Sequence, residues 1–239
     1  MKRFLFNGIV ASDSDAPIYR WFGYSAVCPK QVRKALAEAD GEGLVLEVNS
    51  PGGSALAGME IRNILAAAAV PVTAVVQSYA ASAASYAILT CSKVEMAPGS
   101  QMMLHRPSTC TAGNAKDHEE SLQMLGSMYE SLLDVYCARC GEKATREQLA
   151  EICDNETWLT AQKCVDLGLA DGIWTPESAD PRNMAAAFGL PDITVLRQRY
   201  AEAHKDPAPD PEPNTDPEPT SNWQQNAALA IEKARFMPV

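Results

Sequence analysis

LVLEVNSPGGSALAGMEIRNILAAAAVPVTAVV, residues 44–76, decides the fold. Leu44-Val45-Leu46-Glu47-Val48 is a strand-forming run, and Asn49-Ser50-Pro51-Gly52-Gly53-Ser54 interrupts it. A helical pattern follows over 54–69, and beyond Pro71 a second aliphatic run occupies 72–76. Strand, helix and strand in this order are the unit from which parallel sheets are built. The paired glycines permit positive φ, so the turn before the helix can aim a backbone N–H toward a developing negative charge. An ordinary strand-to-helix turn with Ser54 as N-cap accounts for the same residues.

Working outward, a helix of small residues is expected over 80–90, then strands at 93–97 and 102–105. A long amphipathic helix is expected over 117–138, where Leu122, Leu125, Met128, Leu132 and Val135 recur at three- and four-residue spacing, and Gly141 is placed to end it. A last helix over 161–167 stops at Gly168, with a short strand near Ile173 and Trp174. At the other end, Lys2 and Arg3 precede Phe4-Leu5-Phe6; Asn7 and Gly8 cut this run short of a signal peptide, so it reads as a first strand. The expected class is α/β with a largely parallel sheet.

Of the 239 residues, 46% are aliphatic, aromatic or cysteine, enough for one substantial core. A formal charge of −10 argues against nucleic acid or an anionic membrane as the main partner. The longest apolar stretch, 65–76, is broken by Pro71 and falls short of the ~18 residues of a membrane span. Seven cysteines without regular spacing point to reduced thiols and a cytoplasmic setting. Cys137 and Cys140 form an isolated CxxC, with neither a second pair nor paired histidines nearby, so no metal or cofactor is expected. KDPAPDPEPNTDPEPT, residues 205–220, cannot bury apolar area and reads as a disordered, self-repelling linker. The expected organisation is a domain over 1–200, an acidic Pro-rich linker over 201–222 and a short helical tail over 223–239.

Two further segments could carry chemistry. Ser78-Tyr79-Ala80-Ala81-Ser82-Ala83-Ala84-Ser85 follows a strand and opens a helix, where the local field favours alkoxide character in a serine. Close helix packing explains such alanine-serine runs too, and composition does not separate Ser78, Ser82 and Ser85. Met102-Met103-Leu104-His105-Arg106-Pro107 ends an apolar strand in a histidine; a core histidine satisfied by a carbonyl fits that placement as well. His118 and His204 lie in the charged start of the long helix and beside the linker.

Taken together, SPGG after a strand, the AAS serine and the strand-borne MLHRP histidine resemble the ClpP-type serine peptidase family, as do Glu156-Thr157-Trp158-Leu159-Thr160-Ala161 and Leu167-Gly168-Leu169-Ala170-Asp171. The variant is most similar to the head maturation proteases of phages and prophages. The resemblance implies the ClpP/crotonase fold, with repeated ββα units and a long protruding helix. It further implies Ser82 as nucleophile, His105 as general base and the backbone N–H groups of Gly53 and Ala83 at the oxyanion, with Ser78 and Ser85 structural. Housekeeping members carry aspartate where Glu156 stands here; Glu156 is the expected orienting acid, with Asp154 as the alternative.

Implied partners are peptide or protein substrates, with capsid-assembly or scaffold proteins as the class the head maturation resemblance implies, and copies of the chain itself in a ring, with two rings stacking through the long helix. The gating segment with which housekeeping members meet an unfoldase ATPase has no evident counterpart, so dependence on one is not expected. Two other readings use the same fold: an assembly component without activity, and a crotonase-like acyl-CoA hydratase or isomerase, whose acidic residues would need neither the serine nor the histidine.

Overall fold

The protein is described by a computed structural model over residues 1–175, apart from Asp40 and Glu42. The expected linker, helical tail and domain boundary near residue 200 lie outside the described residues. Strand β1 (Lys2–Val10) is followed by α1 (Ala16–Trp21), β2 (Ala26–Val27) and α2 (Pro29–Ala37). Then come β3 (Leu44–Gly53), α3 (Ala55–Ala66), β4 (Val72–Ala81) and α4 (Ala83–Ile88). After β5 (Lys93–Met96) and β6 (Gln101–Leu104) stands the long helix α5 (Ala115–Cys140), and a 3₁₀ turn at Gly141–Lys143 leads to α6 (Arg146–Asp154). The chain continues through β7 (Thr157–Thr160), α7 (Ala161–Leu167) and β8 (Gly172–Ile173).

One sheet runs in the order β2-β1-β3-β4-β5-β8, and every pairing along that path is parallel. The exception lies off the path, where β7 pairs antiparallel with β6. Strand β4 changes neighbour halfway: Thr73–Val76 pairs β5, whereas Tyr79, Ala80 and Ala81 pair Gln101, Met102 and Met103 of β6. This split brings the end of β6 beside the end of β4.

The parallel α/β expectation holds, and the aliphatic run of β3 shows why: Leu44, Leu46 and Val48 are fully buried on one face. Ile61, Ile64 and Leu65 of α3 share a core with Ala84, Ala87 and Ile88 of α4. Each buried leucine or isoleucine among them contributes about 1.5–3 kcal/mol. The alanine-serine run does serve close packing: a β-carbon on Gly58 of α3 would lie 2.9 Å from the carbonyl oxygen of Ala83.

Two boundaries differ from the sequence reading in a way that matters. Residues 49–53 are not a turn, because β3 continues through Gly53. Likewise β4 extends to Ala81 and α4 begins only at Ala83, so Ser82 is the junction rather than the interior of a helix. Both strands outlast their aliphatic runs because the sheet continues to supply partners, Ser50 pairing with Ala80.

Helix α5 begins at Ala115 because Asn114 caps it, accepting from the amides of Lys116 and Asp117, while Asp117 accepts in return from the Asn114 amide. Gly141 ends it at φ 57°. Among the described residues no helix is long and apolar enough to cross a membrane.

Candidate active site

The ends of β3, β4 and β6 meet at the carboxyl edge of the parallel strands, where open α/β sheets gather their ligands. Ser82 stands there with φ 54° and ψ −127°, a conformation that a non-glycine residue keeps only when its surroundings hold it. Its amide donates to the Met103 carbonyl at 2.9 Å. The Ser85 hydroxyl lies 2.7 Å from the Ser82 carbonyl oxygen and 3.2 Å from that of Met103, tying the junction to β6 from below.

Gly52 completes this elbow. Its φ is +89°, and a β-carbon there would lie 2.6 Å from the Ala81 carbonyl oxygen and 2.9 Å from the Ala83 nitrogen. Gly53, at φ 146°, abuts β1 instead: its β-carbon would fall 2.3 Å from the Val10 carbonyl oxygen. Of the two glycines, Gly52 is the one pressed against the serine.

Register delivers the histidine. Ala81 pairs with Met103, so Ser82 is level with Leu104, and His105 follows one residue beyond the strand. Its Nε2 lies 2.7 Å from the Ser82 hydroxyl oxygen. With the proton on Nδ1, Nε2 accepts from that hydroxyl, which is the ground-state geometry for general-base activation.

The two candidate acids are placed differently. Antiparallel pairing of β6 with β7 ends at Leu104 opposite Thr157, so one further step along the same register sets Glu156 opposite His105. Glu156 is exposed and has φ 46°. Asp154 is engaged elsewhere, its Oδ1 accepting from Arg106 Nε at 2.5 Å and from the Tyr129 hydroxyl at 2.7 Å. The Arg106 hydrogen bond, with a smaller contribution from Tyr129, holds the Asp154 carboxyl below the usual aspartate range. Burial, then the bond to Asp154, pushes the Tyr129 hydroxyl up. Among the described residues neither carboxylate hydrogen-bonds His105.

Ser82 and His105 open onto a small cleft of about 30 Å³ lined also by Ala55, Tyr86, Pro107, Leu132 and Tyr136. Leu132 was legible as part of the helix stripe; Tyr86 and Tyr136 gave no signal of a site, since aromatic residues within helices read as core. Ser78 is exposed on β4, and His118 pairs with Thr111 in the first turn of α5. Cys137 is half-buried and Cys140 buried, both with free thiols, and among the described residues no group of three or more His, Cys, Asp or Glu is arranged to hold a metal ion.

The family model for Clp protease matches residues 25–177, spanning all three converging segments. This chain belongs to the Clp protease family. It is similar to the ATP-dependent Clp protease proteolytic subunit 1 of Chlamydia abortus, at 34% identity over 137 residues, 56% of this chain and 70% of that protein. Proteolytic subunit 3 of Rhodococcus jostii is 33% identical over 169 residues, 68% of this chain and 81% of the relative. Subunit 2 of Tropheryma whipplei is 30% identical over 136 residues, 56% and 74% of the two chains. In this chain, β1 and α1 lie ahead of the matched region, while the elbow, the histidine strand and both carboxylates lie inside it.

Proposed function

We propose that the chain is a serine endopeptidase acting through an acyl-enzyme on Ser82. The observation that carries this reading is the 2.7 Å contact between Ser82 Oγ and His105 Nε2 at a positive-φ elbow. His105 Nε2 takes the hydroxyl proton as Ser82 Oγ attacks the scissile carbonyl carbon, and the backbone N–H groups of Gly53 and Ala83 receive the oxyanion. The imidazolium then protonates the departing amine, leaving the acyl group on Ser82. Water, deprotonated by the same imidazole, releases the acid and restores the serine. Glu156, opposite His105 in register, is the group that orients the imidazole; Asp154 is committed to Arg106 and Tyr129.

Its relatives' names as proteolytic subunits support a peptidase. Hydrolysis of fluorogenic peptides tests the reading: Ser82→Ala and His105→Ala should each remove turnover while leaving the fold intact. Retained turnover in purified Ser82→Ala protein would exclude the mechanism.

The substrates we propose are capsid-assembly or scaffold proteins, supported by the resemblance of the motif set to head maturation proteases. The working form proposed is a homo-oligomeric ring, with α5 joining two rings. Exposed Leu122 and Met124 on that helix support the stacking. Sedimentation of the purified chain, and loss of association in Leu122→Asp, test it. The relatives are named as ATP-dependent; for this chain the proposal includes no unfoldase, and peptide turnover should be the same with and without ATP.

A further inference from the structure

His105 is held on one side only by the sheet. Leu104, its neighbour toward the N-terminus, is fully buried and the last residue of β6. Toward the C-terminus the chain carries no helix or strand until α5, and residues 108–114 are all exposed. The first residue on that side is Arg106, and it is anchored. Its Nε reaches Asp154 Oδ1 at 2.5 Å, and its guanidinium carbon lies 4.2 Å from the centroid of the Tyr129 ring. The Tyr129 hydroxyl is 2.7 Å from the same Asp154 oxygen and 3.3 Å from the Ala150 carbonyl oxygen. Tyr129 is itself buried in α5, and Asp154 closes α6. Two helices thus grip the residue that follows the candidate base, through a charge-assisted bond and a cation–π stack.

We infer that Arg106, Asp154 and Tyr129 form a clamp that positions His105 against Ser82, making all three positioning residues for the reaction. This rests on the peptidase reading of Ser82 and His105. Asp154 then acts through Arg106 rather than on the imidazole. The clamp also links the site to α5, so that the angle of the long helix is transmitted to the base.

The test measures peptide turnover and the rate at which a fluorophosphonate modifies Ser82, in Arg106→Ala, Arg106→Lys, Asp154→Ala, Asp154→Asn, Tyr129→Phe and the double variant Arg106→Ala/Asp154→Ala. A misplaced base lowers kcat and the phosphonylation rate together, on the order of 10- to 100-fold in Arg106→Ala, with KM unchanged. Because the residues act as a unit, the double variant should be no slower than either single one, and Arg106→Lys should recover part of the rate. Arg146→Ala, which breaks the surface pairs with Glu130 and Asp134, is the control for structural loss and should leave kcat unchanged. If Arg106→Ala fails to fold by circular dichroism, Tyr129→Phe and Asp154→Asn give the reading. Folded clamp variants within twofold of wild type would overturn the inference. So would a further tenfold loss on adding Asp154→Ala to Arg106→Ala, since Asp154 would then act on His105 directly. Absence of phosphonylation in the wild type would instead strike the peptidase reading itself, and the inference with it.

Discussion

Gly52 and Ser82 are in such close approach that a β-carbon on the glycine would lie 2.8 Å from the β-carbon of the serine. The elbow therefore has a glycine floor, and its strain is held from the strand next to it. Gly52→Ala meets both this clash and a φ of +89°. It should lower stability by roughly 1–3 kcal/mol and move Ser82 enough to abolish turnover. Thermal unfolding and peptide hydrolysis on the same preparation check both effects; a folded, fully active Gly52→Ala enzyme would contradict the packing.

Ser85 supports the same elbow from the side of β6. Its fully buried hydroxyl lies against two carbonyl oxygens, those of Ser82 and Met103. Ser85→Ala leaves both without it at a cost of about 1 kcal/mol. Turnover should fall, and steady-state kinetics separates the effect on kcat from that on KM.

Leu132 lines the cleft beside Ser82, whose volume of about 30 Å³ suits a small group. If the side chain preceding the scissile bond enters there, the wild type prefers small apolar residues at that position. Leu132→Ala should then raise relative turnover of peptides carrying Leu or Phe there. A matched series of fluorogenic peptides measures the shift; an unchanged preference would place substrate elsewhere.

Burial raises the thiols of Cys91, Cys153 and Cys164 to about 12 and that of Cys140 to about 11. These raised values mean the folded state holds its protons where the unfolded chain has lost them. The stability they contribute is present below the unfolded thiol range near 8.5–9 and is lost as pH climbs toward the folded values. The loss is at most about 1.4 kcal/mol per pH unit for each group. Denaturant midpoints should therefore fall between pH 9 and 11. At pH 8 iodoacetamide should modify exposed Cys110 while these four react only after unfolding.

How much of this could be read from the residues depends on what each signal reports. The aliphatic runs of β3 and β4 announced a parallel sheet, and Gly141 and Gly168 end their helices as expected, whereas the Asn114 cap went unread and the long helix starts at Ala115 rather than at 117. Helix α6 went unread although Thr145 and Gln148 form a capping box, and so did α2, with Pro29 at its first position. Strand β7 is too short for its alternation to stand out. Sequence order brought Ser82, His105 and Gly53 forward as candidates, but the positive φ of Ser82 is imposed by β6 and Gly52 and has no local signature. The Arg106–Asp154 bond joins residues 48 apart, and spacing along a chain does not reveal which of two carboxylates an arginine will occupy.

Central to the account is that Ser82 is a nucleophile activated by His105, and the most direct measurement is to treat the folded protein with a fluorophosphonate and locate the adduct by peptide mass spectrometry. The account predicts one adduct, on Ser82, that disappears in His105→Ala and is greatly slowed in Glu156→Ala. A folded wild-type protein that takes no label, or takes it on another serine, would contradict it.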